Sequence, residues 1–268
     1  MLLREVEYAR PASVQEALRF LGANDGARAL AGGQTLINVM KARAASPDVL
    51  VDLADIGELR GIELGSDGTL ELGAMTTYTD IIDSAEARAR PILGEVCNQI
   101  ADVQVRNRGT IGGNVCSNDP TNHLPPLLVA IGATMTIVGQ AGERSVPADE
   151  FFLGVYMTAA GPGELLTKIS VPPGKRDGFA SVPIGKDGTC IVNVAASLTN
   201  GTARLAIGCV DAVPVLLTPD STEEAAVRKA VDDANLDPPW DVHASAEYRR
   251  HLAEVLALRA VAQAAEGR

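Results

Sequence analysis

The chain reads as an α+β protein in two parts, and three observations predict this. Strand-like and helix-like segments are mixed through residues 1–173 in an α+β order, and G-x-G-x-x-G is absent, so the doubly wound dinucleotide fold loses support. A strand pattern in GELLTKISV stops at Pro172–Pro173, where a polar, glycine-containing connection begins. Beyond it strands come first and helices last, the order expected of a smaller α+β domain over 174–268. At 268 residues the chain is long enough for two modest cores.

Each element follows from its local pattern. SVQEALRFLGA (13–23) is an amphipathic helix with Ser13 as N-cap and Glu16 three residues later. ARALAGG (27–33) is a short strand running into a glycine turn, and TLINVMKAR starts a helix whose first amides face that turn. PDVLVDLADI and GTLELGAMTTYTDI read as strands, with GSDG at 65–68 as the clearest turn. Residues 85–101 have helical spacing, and ATMTIVG (133–139) alternates as a strand. In the last third, TCIVNVAASLTNGTARLAIGCV is a hairpin turning at Asn200–Gly201, followed by helices in STEEAAVRKAVDDA and SAEYRRHLAEVLALRAVAQAA.

Composition excludes several classes. A net charge of −11 disfavours sequence-independent nucleic-acid binding, which depends on clustered Lys and Arg. No stretch approaches the roughly 20 apolar residues that span a bilayer, and MLLREVEYARP lacks the apolar centre of a signal peptide; a cytoplasmic location is expected. Cys97, Cys116, Cys190 and Cys209 have no CxxC spacing, and His123, His243 and His251 form no ligand pattern. The expectation is buried or semi-buried thiols and no metal site. No Ser–His–Asp set or paired carboxylates stand out, so no catalytic residue is assigned.

Two glycine pairs carry the functional signal. TIGGNVCSNDPTNHLPPLL (110–128) puts a hydroxyl, two glycines and an Asn directly after the polar, basic DVQVRNRG. Adjacent glycines let a ligand approach the main chain, and inward-turned amides make an anion site suited to phosphate or pyrophosphate. ALAGGQTL (29–36) repeats the chemistry. Neither matches G-x-G-x-x-G or the P-loop pattern. Separated by a domain's worth of chain, the pair suggests one large ligand held between them.

AGGQTL followed by RNRGTIGGNVCSNDPTNHLPPLL resembles the flavin-binding subunit of the molybdenum hydroxylases, the group that includes the medium subunit of carbon monoxide dehydrogenase and the central flavin region of xanthine dehydrogenase. DEFFLGVYMT and GELLTKISVP resemble the segment closing that family's flavin domain, and SAEYRRHLAEVLALRA its C-terminal domain, so the likeness covers almost the whole chain. The resemblance implies an FAD-binding fold of the vanillyl-alcohol-oxidase (PCMH) type over 1–173, in subdomains of about 1–55 and 56–173, followed by the smaller domain. It assigns the pyrophosphate to Ala29, Leu30, Ala31, Gly32, Gly33, Gln34, Thr35 and Leu36, with Gly32 and Gly33 closest. It assigns a second loop to Thr110, Ile111, Gly112, Gly113 and Asn114, with the Thr110 hydroxyl available to phosphate. Ser117 matches a hydroxyl position near the ribityl and phosphate oxygens, Leu166 a residue whose main chain meets the adenine side, and Lys186 a family Lys near the flavin.

One departure concerns His123, where many relatives carry Asp in a pattern like DPANDLPP. A carboxylate accepts hydrogen bonds from ribose hydroxyls, while a neutral imidazole offers one acceptor and one donor; Asn122 or Asp119 are candidates to cover the loss. The alternative is a loop histidine open to water. The resemblance further implies one subunit of three: a large molybdopterin subunit acts on the substrate, and a small subunit passes electrons through 2Fe–2S clusters to the FAD held here. The electrons then go to NAD⁺, a quinone or oxygen, in a dimer of heterotrimers. The rival readings are a self-sufficient flavin reductase or oxidase of the same fold, like UDP-N-acetylenolpyruvylglucosamine reductase, and a non-catalytic nucleotide-binding protein.

Overall fold

The computed structural model describes residues 2–174, 176–185, 189–199 and 201–267. It opens with β1 (Glu7–Ala9), α1 (Val14–Ala23), β2 (Ala27–Leu30), α2 (Leu36–Lys41) and β3 (Val49–Asp52). The three strands form a parallel sheet in the order β1-β3-β2. Ser13 caps α1 as its pattern predicts: its Oγ accepts from the Glu16 amide, and the Glu16 carboxylate accepts from the Ala12 amide. One stripe of α1 (Val14, Ala17, Leu18, Leu21) packs with Val49, Val51, Leu53, Ile56 and Leu59 into a small core.

A larger unit follows: β4 (Ile62–Leu64), β5 (Leu70–Gly73), α3 (Tyr78–Asp83), α4 (Ile92–Gln99), α5 (Val103–Arg106), α6 (Ile111–Ser117), α7 (Leu124–Ala130), β6 (Thr134–Gly139), β7 (Gly142–Pro147), α8 (Ala148–Phe151), β8 (Phe152–Gly154), β9 (Met157–Thr158) and β10 (Leu165–Val171). β4-β5-β10-β6-β7 make an antiparallel sheet, and its buried face meets α4, α6 and α7. Two expectations need correction. GTLELGAMTTYTDI is a strand only through Gly73; Thr77 and Asp80 form a capping box that starts a helix in its second half. The helical stretch 85–101 is broken at Arg90–Pro91 into a 3-10 turn and α4.

The last part holds β11 (Asp177–Ile184), β12 (Thr189–Thr199), β13 (Thr202–Gly208), β14 (Val215–Leu217), α9 (Glu224–Asp233) and α10 (Ala246–Glu266). The expected hairpin is β12–β13, with Thr199 opposite Thr202 and Gly201 in a left-handed conformation; Asn200 lies outside the described residues. The sheet β11-β12-β13-β14 is covered on both faces. Val192, Val194, Ala196 and Leu198 of β12 pack with Leu252, Leu256 and Ala260 of α10. Ala195 and Ala206 belong instead to the core shared with α7, the other side of the same pleat.

A buried ion pair ties this sheet to the preceding unit. Arg90 Nε and Nη2 each donate to an Asp177 carboxylate oxygen at 2.8 Å, and Nη2 also donates to Ser197 Oγ at 3.1 Å. The Pro172 carbonyl takes Nη1. Both side chains are no more than 4% exposed.

Candidate functional site

The first glycine segment leaves β2 at the carboxyl edge of the parallel sheet, where connections of open sheets bind ligands. Gly33 is left-handed, with φ +74°, a conformation that turns successive amides toward one side. The amides of Gly32, Gly33, Gln34 and Thr35 donate to no group among the described residues. Four consecutive unpaired N–H groups ahead of α2 are the natural receptor for an anion, because donors left without an acceptor are costly unless water or a ligand takes them.

The second segment differs from the turn expected of TIGGN. Thr110 is the N-cap of α6, its Oγ1 accepts from the Gly113 amide at 3.1 Å, and the glycine pair lies in the helix's first turn. The Ile111, Gly112 and Asn114 amides are also taken, by the carbonyls of Thr76, Ala74 and Thr110. An anion therefore finds its backbone donors in the first segment, while the second supplies shape and side chains. The Thr110 hydroxyl keeps its own proton to donate.

The two segments meet. A Cβ on Gly32 would fall on the Arg108 carbonyl oxygen and come 2.9 Å from Gly109 Cα; one on Gly113 would lie 3.2 Å from Ala31 Cβ. Gly112 is pressed against Ala74 just as closely, with a virtual Cβ 2.6 Å from the Ala74 carbonyl oxygen. Tyr78 closes over Gly109, and burial pushes its phenol pKa up, with a hydrogen bond to Asn114 pulling the other way. Tyr78 thus stays neutral. Asn114 Oδ1 and Ser117 Oγ are buried with no hydrogen-bond partner among the described residues. Arg108 is exposed and forms no ion pair among the described residues, so it leaves positive charge beside the two segments.

These features fit a dinucleotide with a pyrophosphate: free amides for the phosphates, glycines that keep side chains out, and two polar atoms awaiting partners. Ala29, Leu30, Ala31 and Leu36 frame the first segment. Leu166 sits in β10 with its side chain in the core; next to it, the Thr167 carbonyl accepts from Ala74, whose own carbonyl holds Gly112. Lys186 lies outside the described residues. Arg108, Gly109, Ala74 and Tyr78 went unassigned in the sequence because each acts through packing on a glycine, which no motif spacing announces.

His123 is not open to water. It is 2% exposed, stacks on Phe179 at 5.6 Å between centroids, and puts Nε2 3.4 Å from Cys190 Sγ. Beside this contact β12 carries a bulge, with Ile191 as the extra residue between Cys190 and Val192, which pair with the consecutive Pro183 and Val182 of β11. Burial, opposed by hydrogen bonds from Asn193 and Ser181, pushes the Cys190 thiol up to about 11, so the pair is a neutral thiol beside an imidazole. The adjacent Thr121 and Asn122 carbonyls accept from Cys190 N and Asn193 Nδ2, which fastens the 119–123 loop to β12. Cys97 and Cys209 are buried as expected, but Cys116 is exposed.

Among the described residues no cluster of His, Cys, Asp and Glu is arranged to hold a metal ion. Among the described residues no helix is long and apolar enough to cross a membrane.

The comparison with known proteins agrees with this geometry. Residues 4–174 match the family described as the FAD binding domain in molybdopterin dehydrogenase. The chain is 38% identical over 284 residues to the carbon monoxide dehydrogenase medium chain of Afipia carboxidovorans, covering 98% of each. It superposes on a chain of carbon monoxide dehydrogenase from Hydrogenophaga pseudoflava with a TM-score of 0.92 and 35% identity, covering 99% of both. On a chain of quinoline 2-oxidoreductase from Pseudomonas putida 86 the TM-score is 0.90 at 33% identity, covering 100% of this chain and 99% of that one.

Proposed function

This chain belongs to the FAD-binding subunits of the molybdenum-containing dehydrogenases, an oxidoreductase family, and from that premise we propose that it is the flavin station of a three-subunit electron-transfer enzyme. It takes electrons from the 2Fe–2S clusters of a small partner subunit and delivers them to NAD⁺, a quinone or oxygen. The large molybdopterin subunit acts on the organic substrate. Two such heterotrimers pair, and the assembly works in the cytoplasm. Residues 1–173 form the FAD-binding domain and 174–268 the smaller domain that the Arg90–Asp177 pair joins to it.

The observation that carries the reading is the row of free amides at Gly32–Thr35, held against the Arg108–Gly109 backbone. When bound there, FAD supplies the two-electron chemistry that no side chain of this protein offers. The protein's part is to bind and orient it. The amides of residues 32–35 would hold the pyrophosphate, the Thr110 hydroxyl would donate to a phosphate oxygen, and bound FAD would supply the partners that Asn114 Oδ1 and Ser117 Oγ lack.

The test is isolation of the tagged chain from its own cells with its partners attached. The expected complex contains FAD, iron, acid-labile sulfide and molybdenum in a fixed ratio through gel filtration. A chain that emerges alone with FAD, and by itself turns over a small-molecule substrate, contradicts the subunit assignment and favours a self-sufficient flavin enzyme.

A further inference from the structure

The main chain at Arg108–Gly109 touches two neighbours. One is Gly32 of the first glycine segment, where a Cβ would fall on the Arg108 carbonyl oxygen and lie 2.9 Å from Gly109 Cα. The other is the Tyr78 ring: a Cβ on Gly109 would lie 2.6 Å from its Cε2 and 3.2 Å from its Cδ2. Gly109 thus links the ring to the first segment through a single residue of main chain.

The ring is held from behind. Tyr78 is 4% exposed and belongs to the larger core, with Ile81, Leu93 and Val96. Around it, the first turn of α3 grips the stretch before α6 at three successive residues. Thr77 bridges to Thr110, the Tyr78 amide donates to the Gly109 carbonyl at 3.1 Å, and Thr79 Oγ1 donates to Asn107 Oδ1 at 2.6 Å. The Thr77–Asp80 capping box fixes that turn. A ring in a close-packed interior is a rigid spacer, because such interiors yield little to strain. Gly32 belongs instead to the segment leaving the three-stranded sheet, so the ring passes the position of one unit to the other.

We infer that Tyr78 is a positioning residue for FAD: its ring sets how closely the Arg108–Gly109 main chain meets Gly32, and so where the amides of residues 32–35 stand. The inference rests on the proposed cofactor site and adds to it a residue that acts through main chain. Without the ring, a space opens behind Gly109 into which that main chain falls back, and the first segment loses the surface it rests on.

The test is FAD titration of cofactor-free chains, each checked for folding by far-UV circular dichroism and unfolding temperature. Tyr78→Phe keeps the ring and is expected to bind FAD within about threefold of the parent. Tyr78→Ala is expected to bind about 30-fold more weakly. Gly109→Ala reaches the same contact from the other side. The φ of Gly109 is not left-handed, so the backbone accepts alanine, and the added methyl meets the ring and, at 3.0 Å, the Val105 carbonyl oxygen. It too is expected to bind FAD about 30-fold more weakly. In the double variant, Tyr78→Ala with Gly109→Ala, the methyl enters the space the ring has left. Its affinity is expected to be at least about tenfold higher than the two single losses multiplied together. A ring that served stability alone would lower the unfolding temperature and leave FAD affinity at the parent's value. Should Tyr78→Ala not fold, Tyr78→Leu, which fills the core without a ring face, takes its place with the same direction expected. Parental FAD affinity in the folded Tyr78→Ala or Tyr78→Leu chain, or simple multiplication of the single losses in the double variant, overturns the inference. With a parent that carries stoichiometric FAD these results bear only on Tyr78; a parent that takes up no FAD overturns the cofactor site as well.

Discussion

Arg90→Ala is expected to destabilise the chain by about 3–5 kcal/mol, among the largest effects of any single substitution outside the glycine segments. The reason is what remains behind. Asp177 is 3% exposed at its side chain and would keep a charge in the interior with its two guanidinium donors gone. Ser197 Oγ and the Pro172 carbonyl would lose their partner too. Arg90→Lys is expected to recover little, because an ammonium cannot reproduce the planar, two-point grip on the carboxylate. The informative companion is the double replacement Arg90→Met with Asp177→Leu, which removes both charges and is expected to lie much closer to the unsubstituted chain. Denaturant unfolding of the three variants checks the argument. An Arg90→Ala chain within about 1 kcal/mol of the parent would show that the pair contributes no more than an exposed one.

Gly32→Ala is expected to weaken FAD binding by about 100-fold or more, which corresponds to about 2.7 kcal/mol. A methyl group there falls on the Arg108 carbonyl oxygen, and the neighbouring atoms within 3 Å are backbone, which has no rotamer to move. The two segments must separate, and the amides of residues 32–35 leave the position from which they meet the pyrophosphate. Gly33→Ala is expected to cost less. Its added Cβ meets the side chains of Ile37 and Leu30 at 3.3 and 3.4 Å, and the main penalty is a left-handed φ of +74°, on the order of 1–2 kcal/mol. FAD titration of the two cofactor-free variants, with circular dichroism to confirm that each is folded, measures the difference. Equal affinities for Gly32→Ala and the parent would mean that the segments need not touch to hold the cofactor.

Much of this was legible in the residues. Ser13 with Glu16 announced α1, the GELLTKISV pattern announced β10, and the two glycine pairs announced segments that come together in the fold. What stayed hidden depended on partners distant in sequence. Thr77 and Asp80 make a capping box, but they follow a good strand pattern, and helix or strand is settled there only when Tyr78 packs over Gly109. TIGGN reads as a loop because two glycines discourage a helix. It folds as α6 because Gly112 must come against Ala74, an approach that any side chain would prevent. His123 is the clearest case. As a loop residue it left open a ring exposed to water, and only the fold brings Phe179 and Cys190, distant in sequence, against it. Arg90 gave no signal at all, since its carboxylate partner lies 87 residues away.

The central claim is that the cleft between the glycine segments holds FAD. The most direct measurement is the visible spectrum of the purified chain, followed by release, identification and quantification of any bound cofactor against protein. The account predicts flavin absorption and FAD stoichiometric with the chain, either as isolated or after addition of FAD. A colourless protein that takes up no added FAD would contradict it and leave the free amides of Gly32–Thr35 to water.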